Sequence, residues 1–259
     1  MNKLILNFKS KDSKKIKDPK NFLGGKGANL SEMGRMGLPV PPGFTISTKV
    51  CEIFYKDKKK LNSKLISQIK KEIKTIEKDV SKKFGDLKNP LLLSVRSGAR
   101  VSMPGMMDTI LNLGLNDKTV VALANKTSNG RFAKDSYRRF IQMYGNVVMG
   151  VESYNFEELI ENYKLTKGVL LDTDLDEEDW DGLINDFKNV VKEKTSKDFP
   201  QDVYHQLFGA ISAVFLSWES KRARVYRKLN QIPSEWGTAV NVQSMVFGNM
   251  GNDLSLIHI

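Results

Sequence analysis

Residues 91–109 read LLLSVRSGARVSMPGMMDT and change character half-way along. The run of Leu and Val that follows Asn89-Pro90 is typical of a short buried strand. After it come Ser, Gly and Pro together with Arg96 and Arg100, which predict a loop at the end of the strand. Arginine offers paired donors to phosphate oxygens, and Gly and Ser allow backbone N–H groups to approach a ligand closely. The stretch therefore indicates a polyanion site, although a β-turn with two solvated arginines fits the same composition.

Residues 22–33, FLGGKGANLSEM, place three glycines around Lys26 ahead of a helix-like run. A glycine-rich turn that leads into a helix N-terminus is suited to anions, because free N–H groups and the helix dipole both face the ligand. The segment is not a Walker A loop, which needs Ser or Thr after the Lys where this chain has Gly27. A flexible turn before a helix that starts near Ala28 is the alternative interpretation.

Both segments, with others in the same order, resemble the N-terminal nucleotide-binding domain of the pyruvate, phosphate dikinases. The resemblance is carried by GGKGANL at 24–30, PVPPGF at 39–44, SVRSGAR at 94–100, SMPGMMDTILNLG at 102–114, FAKDSYRRFIQM at 132–143 and WGTAVNVQSMVFGN at 236–249. The related phosphoenolpyruvate synthases share the Gly-Gly-Lys and Val-Arg-Ser elements. The uninterrupted segment at 102–109 is similar to the dikinase rather than to the synthase.

The resemblance implies an α/β (α+β) fold that is ATP-grasp-like, incomplete, and interrupted by a largely helical insertion. It implies that Lys26 and Arg96 contact the ATP phosphates and that residues 102–109 cover them with backbone N–H groups. The nucleotide-binding residues implied in this way are Lys26, Arg96, Gly25, Gly27, Ser102, Gly105, Asp108, Thr109, Gln243 and Met245.

The resemblance also implies the chemistry of a larger protein. The family converts ATP, pyruvate and phosphate into AMP, phosphoenolpyruvate and diphosphate. In that reaction this domain transfers a phosphoryl group from ATP to a histidine on another domain. ATP and phosphate are the expected ligands, with Mg²⁺ held by acidic residues beyond the end of this chain. Neither His205 nor His258 has the context of the phosphohistidine, so no catalytic residue and no metal ligand is expected here. The expected partners are the phosphohistidine and pyruvate/phosphoenolpyruvate domains, in a longer homologue that is a homo-oligomer.

The last residues of the chain depart from the family pattern. Residues 254–259, LSLIHI, do not match the continuation after Asp253. We expect a fragment, or a reading frame interrupted near Asp253 with a short foreign tail, that is inactive on its own. The predicted strand at 238–247 has apolar residues for both faces, so we expect an unprotected sheet edge there and self-association of the isolated chain.

Two other functions remain open: a nucleotide-binding remnant without catalysis, and a basic protein associated with nucleic acid. The net charge of +11 favours the second. However, the lysines alternate with acids, as in KKEIKTIEKD at 70–79, which is typical of a solvated helix face. Nucleic acid is therefore not the expected partner.

Composition indicates an ordinary globular chain, with 40% hydrophobic and 27% charged residues among 259. The single Cys51 excludes an internal disulfide and fits a reducing cytosol, so we expect a cytoplasmic protein in which this thiol is buried and structural. No segment is long and apolar enough to span a membrane, and the first apolar run is too short for a signal peptide.

Hydrophobic spacing and the resemblance together predict four regions. They are an α/β nucleotide-binding lobe at 1–115, a mainly helical subdomain at 116–205, a long helix and connection back to the first lobe at 206–237, and the truncated first strand of a second lobe with an atypical tail at 238–259. Within them the sequence predicts strands at 4–8, 43–47, 91–95 and 109–113, and helices at 28–35 and 63–84.

Two further features could be mistaken for metal sites. The acidic segment DLDEEDWD at 174–181 precedes an apolar helical pattern, where carboxylates act as caps and dipole partners more often than as ligands. His205 has no nearby Cys or His and is interpreted as structural.

Overall fold

A computed structural model describes residues 3–248 and divides the chain into two compact units. The first unit consists of Met1–Lys82, Leu93–Ile110 and Leu207–Ser244, and the second of Lys83–Leu92, Leu111–Gln206 and Met245–Ile259. The units divide after residues 110 and 206, whereas the sequence predicted boundaries after 115 and 205, and the segment 83–92 belongs to the mainly helical unit. Strands and helices mix as predicted for an α/β fold.

The strands are β1 (Ile5–Asn7), β2 (Gly43–Ile46), β3 (Lys83–Phe84), β4 (Pro90–Leu91), β5 (Leu93–Gly98), β6 (Thr109–Leu113) and β7 (Ala239–Ser244). The helices are α1 (Pro19–Arg35), α2 (Thr48–Lys56), α3 (Ser63–Val80), α4 (Thr119–Thr127), α5 (Gly130–Val147), α6 (Tyr154–Lys167), α7 (Glu177–Thr195), α8 (Val203–Ser217) and α9 (Lys221–Leu229). No helix within residues 3–248 has the length and apolar character that a membrane span requires.

The main sheet has the strand order β1-β2-β7-β5-β6. Strand β2 pairs antiparallel with β1 and β7, and β7 also pairs antiparallel with β5. Val242 lies opposite Phe44 on one side and Val95 on the other, and all three are buried. The division between the units falls within β6, after Ile110.

The position of β7 corrects two expectations. This strand is not the start of a second lobe, and it is not an unprotected edge, because β2 and β5 pair with its two sides. Of the apolar residues that suggested an exposed face, Val240 and Val242 are fully buried in the first unit's core, whereas Val246, beyond the end of the strand, is 66% exposed. A central strand needs apolar residues on both faces, and the sequence pattern alone does not distinguish it from an unpaired one. The strand ends at Ser244, before the predicted Phe247, and the tail at 254–259 lies outside the described residues.

Helix α3 supports the first unit through one apolar stripe. Leu65, Ile69, Ile73 and Ile76 repeat at helical spacing and are buried. The predicted end at Phe84 was wrong: Ser81 adopts a left-handed conformation with φ of 52°, which ends the helix. Phe84 lies instead in β3, which pairs in parallel with β4.

The second unit is mainly helical, and its acidic segment begins a helix as predicted. Asp176 accepts hydrogen bonds from the backbone N–H groups of Glu178 and Asp179, and the Asp179 side chain accepts one from the N–H of Asp176. This reciprocal capping box satisfies the free N–H groups at the start of α7. His205 lies exposed in the first turn of α8.

Candidate functional site

The glycine segment, residues 24–27, lies at a kink between two helical stretches of α1. Asp18 caps α1 by accepting a hydrogen bond from the N–H of Asn21, and Pro19 occupies the first turn. The helix breaks at Gly24, which has φ of 69° and ψ of 170°, and then continues to Arg35. The predicted glycine turn before a helix therefore corresponds to the kink at Gly24, whereas the helical stretch that begins at Pro19 was not predicted.

Gly24 permits a very close approach to the end of β5. A Cβ atom at this position would lie 1.6 Å from the carbonyl oxygen of Gly98. The next residue, Gly25, donates its N–H to the carbonyl of Ala99 at 2.9 Å. The glycine segment is thereby held against the start of the arginine-containing loop that the sequence singled out.

Gly27 packs closely against the sheet. A Cβ atom here would lie 2.7 Å from Oγ1 of Thr45 and 3.0 Å from Oδ1 of Asn241. These two buried side chains are joined by a hydrogen bond of 2.8 Å in which Thr45 donates. Gly27 was expected among the nucleotide-binding residues, but in the structure it allows α1 to pack closely on β2 and β7.

A cleft of about 580 Å³ opens beside the glycine segment in the first unit. Five of the residues expected at a nucleotide line it: Gly25, Lys26, Ser102, Gly105 and Thr109. Lys20, Asn29 and Ser97 line it too, and so does Arg100, which the sequence had placed in the predicted polyanion loop but not among the nucleotide-binding residues. Lys20 could not be placed from the sequence because its position depends on the early start of α1.

Lys26 and Arg96 give this region an unbalanced positive charge. Partial burial lowers the pKa of Lys26, and the nearby positive charge of Arg96 lowers it further. Arg96 is an exposed residue of β5, opposite Asn241 in the sheet register, and is not among the residues that line the cleft. Within residues 3–248 neither cation forms an ion pair. Two cations that repel each other without a carboxylate between them favour an anionic ligand.

The loop at 102–108 forms one wall of the cleft and is fixed to α9. Met103 is buried against Trp218 and Ala223. Arg222 forms an ion pair with the carboxylate of Asp108, and its Nε donates to the carbonyl of Met106 at 3.3 Å. Burial raises the pKa of Asp108, and Arg222 opposes that shift. Asp108 was expected at the nucleotide, but it does not line the cleft and is engaged by Arg222.

Gln243 and Met245 do not share a face of one strand as predicted, because β7 ends at Ser244. Gln243 donates Nε2 to the carbonyl of Pro41 at 3.1 Å. Met245 belongs to the second unit, where it lines a separate pocket of about 560 Å³ with Phe132 and Phe247. Neither residue lines the cleft of the first unit.

The described residues do not fit a bound Mg²⁺. Within residues 3–248 no group of three or more His, Cys, Asp or Glu side chains is close enough to hold a metal ion. The residues that line the cleft include no carboxylate, and carboxylate oxygens are the protein ligands that Mg²⁺ uses.

Comparison with known proteins adds an independent finding. Residues 20–71 and 58–254 match the family described as pyruvate phosphate dikinase, AMP/ATP-binding domain. The chain is 55% identical over 233 residues to pyruvate, phosphate dikinase of Clostridium symbiosum, covering 90% of this chain and 27% of that protein. It is 51% identical over 252 residues to the Rhizobium meliloti enzyme, covering 97% of this chain and 28% of the relative. For the Entamoeba histolytica enzyme the identity is 53% over 236 residues, covering 90% of this chain and 27% of that protein. The chain thus spans about a quarter of the length of these relatives.

Proposed function

The chain belongs to the family of pyruvate phosphate dikinase AMP/ATP-binding domains, and from this membership we propose that its first unit binds the phosphate groups of ATP. The observation that carries the proposal is the pair of cations without carboxylate partners, Lys26 and Arg96, beside the cleft. A triphosphate supplies the negative charge that these side chains lack, and charge-assisted hydrogen bonds to it are the strong ones.

The backbone around the cleft supports the same ligand. Gly25 and Gly105 line it and present no side chain that would keep a phosphate away from the main chain. Gly105 has φ of 70° and nothing within 4 Å of the place where a Cβ atom would be. Glycine at such positions allows phosphate oxygens to approach the main chain closely, while the N–H of Gly25 itself donates to the carbonyl of Ala99.

The relatives are named pyruvate, phosphate dikinases. We propose that this chain supplies ATP to the same overall reaction, in which a phosphoryl group passes through a histidine outside the chain. The contribution of this unit is to bind and orient the nucleotide, which is most of what phosphoryl transfer requires of a protein. The proposal also includes inorganic phosphate as co-substrate and the histidine and pyruvate domains as partners. It further includes Mg²⁺ ligands beyond residue 248, a homo-oligomeric state and a cytoplasmic location.

Titration calorimetry of ATP into the full chain tests the proposal. Lys26→Ala and Arg96→Ala should each weaken ATP binding about tenfold or more, the effect of losing one charge-assisted hydrogen bond. Lys74→Ala is the matched control, because Lys74 is an exposed lysine on α3 and its replacement changes the net charge equally. Equal affinities for the wild-type chain, Lys26→Ala and Arg96→Ala would remove the cleft from consideration as the phosphate site.

A further inference from the structure

Asn241 lies at the centre of a row of three residues that crosses the main sheet. In the strand register it is opposite Thr45 of β2 on one side and opposite Arg96 of β5 on the other. Residues that lie directly opposite each other in neighbouring strands extend from the same face of the sheet. Gly27 packs on Thr45 and Asn241, so this is the face that carries the glycine segment. The exposed side chain of Arg96 therefore leaves the sheet on that face, next to Asn241.

The carboxamide of Asn241 is enclosed by its neighbours. Thr45 donates its hydroxyl to Oδ1 at 2.8 Å, which fixes the orientation of the amide. A Cβ atom at Gly27 would lie 3.0 Å from the same oxygen, and a Cβ atom at Gly98 would lie 2.6 Å from Nδ2. Glycine at both positions lets the helix and the strand approach the amide this closely. The carboxamide thus fills the space between the glycine segment and the end of β5.

Stability alone does not account for an asparagine at this position. Asn241 is 2% exposed, and its Nδ2 has no hydrogen-bond partner among the described residues. A buried donor without an acceptor lowers stability, whereas an apolar side chain of similar shape has no donor to satisfy. An unpaired buried group of this kind calls for a functional explanation.

The two segments that the amide separates carry the two cations of the proposed site. Lys26 directly precedes Gly27, and Arg96 lies two residues before Gly98 in β5. The positive charge of Arg96 adds to the effect of partial burial in lowering the pKa of Lys26, so the two cations repel each other. Like charges move apart where the surrounding structure allows it. The amide of Asn241 therefore occupies the position from which the separation of the two segments can be fixed.

We propose that Asn241 is a positioning residue of the phosphate site, whose carboxamide, oriented by Thr45, is a spacer that sets the distance between Lys26 and Arg96. Asn241 does not line the cleft, so it acts through the glycine segment and β5. This inference rests on the proposed function, in which both cations bind phosphate groups. The charged oxygens of a polyphosphate have a limited range of spacings, so the distance between the two cations determines how well both can contact one ligand.

The titration of Lys26 in the full chain tests the spacing without any ligand, by NMR of lysines labelled with ¹³C at Cε. The Lys26 signal is identified by its absence from Lys26→Arg. Asn241→Ala removes the spacer and should raise the pKa of Lys26, because the two cations can then move apart. In an Arg96→Ala chain the same change should move the pKa of Lys26 much less. Asn241→Leu keeps the bulk of the side chain and should leave the titration close to that of the wild-type chain.

Calorimetry with ATP measures the consequence for binding. Asn241→Ala should weaken ATP binding about tenfold, the effect of misplacing one charge-assisted hydrogen bond, and Asn241→Leu should retain most of the affinity. Gly98→Ala places a methyl group against Nδ2 and should also weaken binding. The same methyl group should weaken binding less in an Asn241→Ala chain, where it refills part of the space. Asn230→Ala, which replaces an exposed asparagine of the same unit, is the control.

Circular dichroism establishes that each variant is folded. In folded Asn241→Ala, a pKa of Lys26 that is unchanged or lower, together with an unchanged ATP affinity, would overturn the inference. Equal effects of Asn241→Ala and Asn241→Leu would overturn it as well. If Asn241→Ala does not fold, Gly98→Ala decides in its place, because it displaces the same amide, and an unchanged titration and affinity there would also overturn the inference. Failure of the wild-type chain to bind ATP would count against the proposed function alone, since the titration of Lys26 is measured without nucleotide.

Discussion

The hydroxyl of Thr45 donates a buried hydrogen bond of 2.8 Å to Oδ1 of Asn241, directly beneath Gly27. The bond joins β2 to β7 at a register pair. It also forms the surface on which the glycine segment rests. The position of Lys26, one residue away, therefore depends on a polar pair that never reaches the cleft.

Replacing Thr45 by Val should destabilise the first unit by about 1–3 kcal/mol, because the buried Asn241 carboxamide loses its donor and cannot recover one from water. Thr45→Ser keeps the hydroxyl and should restore most of that loss. Thr75→Val on the exposed face of α3 is the control and should change stability by less than about 0.5 kcal/mol. Urea denaturation measures all three, and a Thr45→Val variant as stable as the control would contradict the role given to the pair.

Gly24→Ala should destabilise the chain by more than about 3 kcal/mol, since a side chain is strained at φ of 69° and its Cβ would overlap the Gly98 carbonyl. Gly37→Ala separates the two causes. Gly37 also has positive φ, 80°, but nothing lies within 4 Å of its Cβ position, so only the conformational cost of about 1–2 kcal/mol should appear. Thermal denaturation compares them, and equal losses would mean that the contact with Gly98 contributes nothing.

Much of the site could be predicted because local sequence carries it. The pattern around Lys26 and the strand that contains Arg96 indicated cationic groups beside closely packed backbone. In the structure Lys26 lines the cleft, and Arg96 lies near enough to lower the pKa of Lys26. The partners could not be predicted in the same way. The contact of Gly27 with the sheet depends on tertiary packing, and so does the ion pair between Asp108 and Arg222. Asp108 and Arg222 lie more than 100 residues apart along the chain.

The fold shows the same limit at β7. Its apolar pattern predicted a strand correctly, but the same pattern is expected for a central strand and for a strand that has an unpaired edge. Only the register, with β2 on one side and β5 on the other, decides between them. The start of α1 at Pro19 was not predicted, because the interpretation of this region rested on the glycine segment. The cap residue Asp18 and the proline in the first turn were not used.

The ion pair between Asp108 and Arg222 should position the loop at 102–108, because Arg222 also holds the Met106 carbonyl. A double-mutant cycle of Asp108→Asn and Arg222→Gln should give a coupling free energy of about 1 kcal/mol, limited by the exposure of Arg222. The more exposed pair of Lys49 and Glu52 on α2, treated in the same way, should give about 0.3 kcal/mol. A coupling at Asp108 no larger than at this control pair would show that the loop is held by Met103 packing alone.

ATP binding should weaken as the pH rises toward 10.5, the ordinary pKa of lysine, because partial burial and then Arg96 lower the pKa of Lys26. The effect of the same pKa shift on the stability of the fold has the opposite sign. Between the lowered pKa and 10.5 the unfolded chain binds more protons at Lys26 than the folded chain does, so this group makes the free energy of unfolding rise with pH in that window. The negative charge of the phosphates favours the protonated amine, so ATP binding takes up protons in that pH range.

Calorimetry in buffers of different ionisation enthalpy measures that proton uptake. Lys26→Arg should abolish it, since arginine stays charged throughout, and Arg96→Ala should move its onset to higher pH. Proton uptake that persists unchanged in Lys26→Arg would assign the titration to another group.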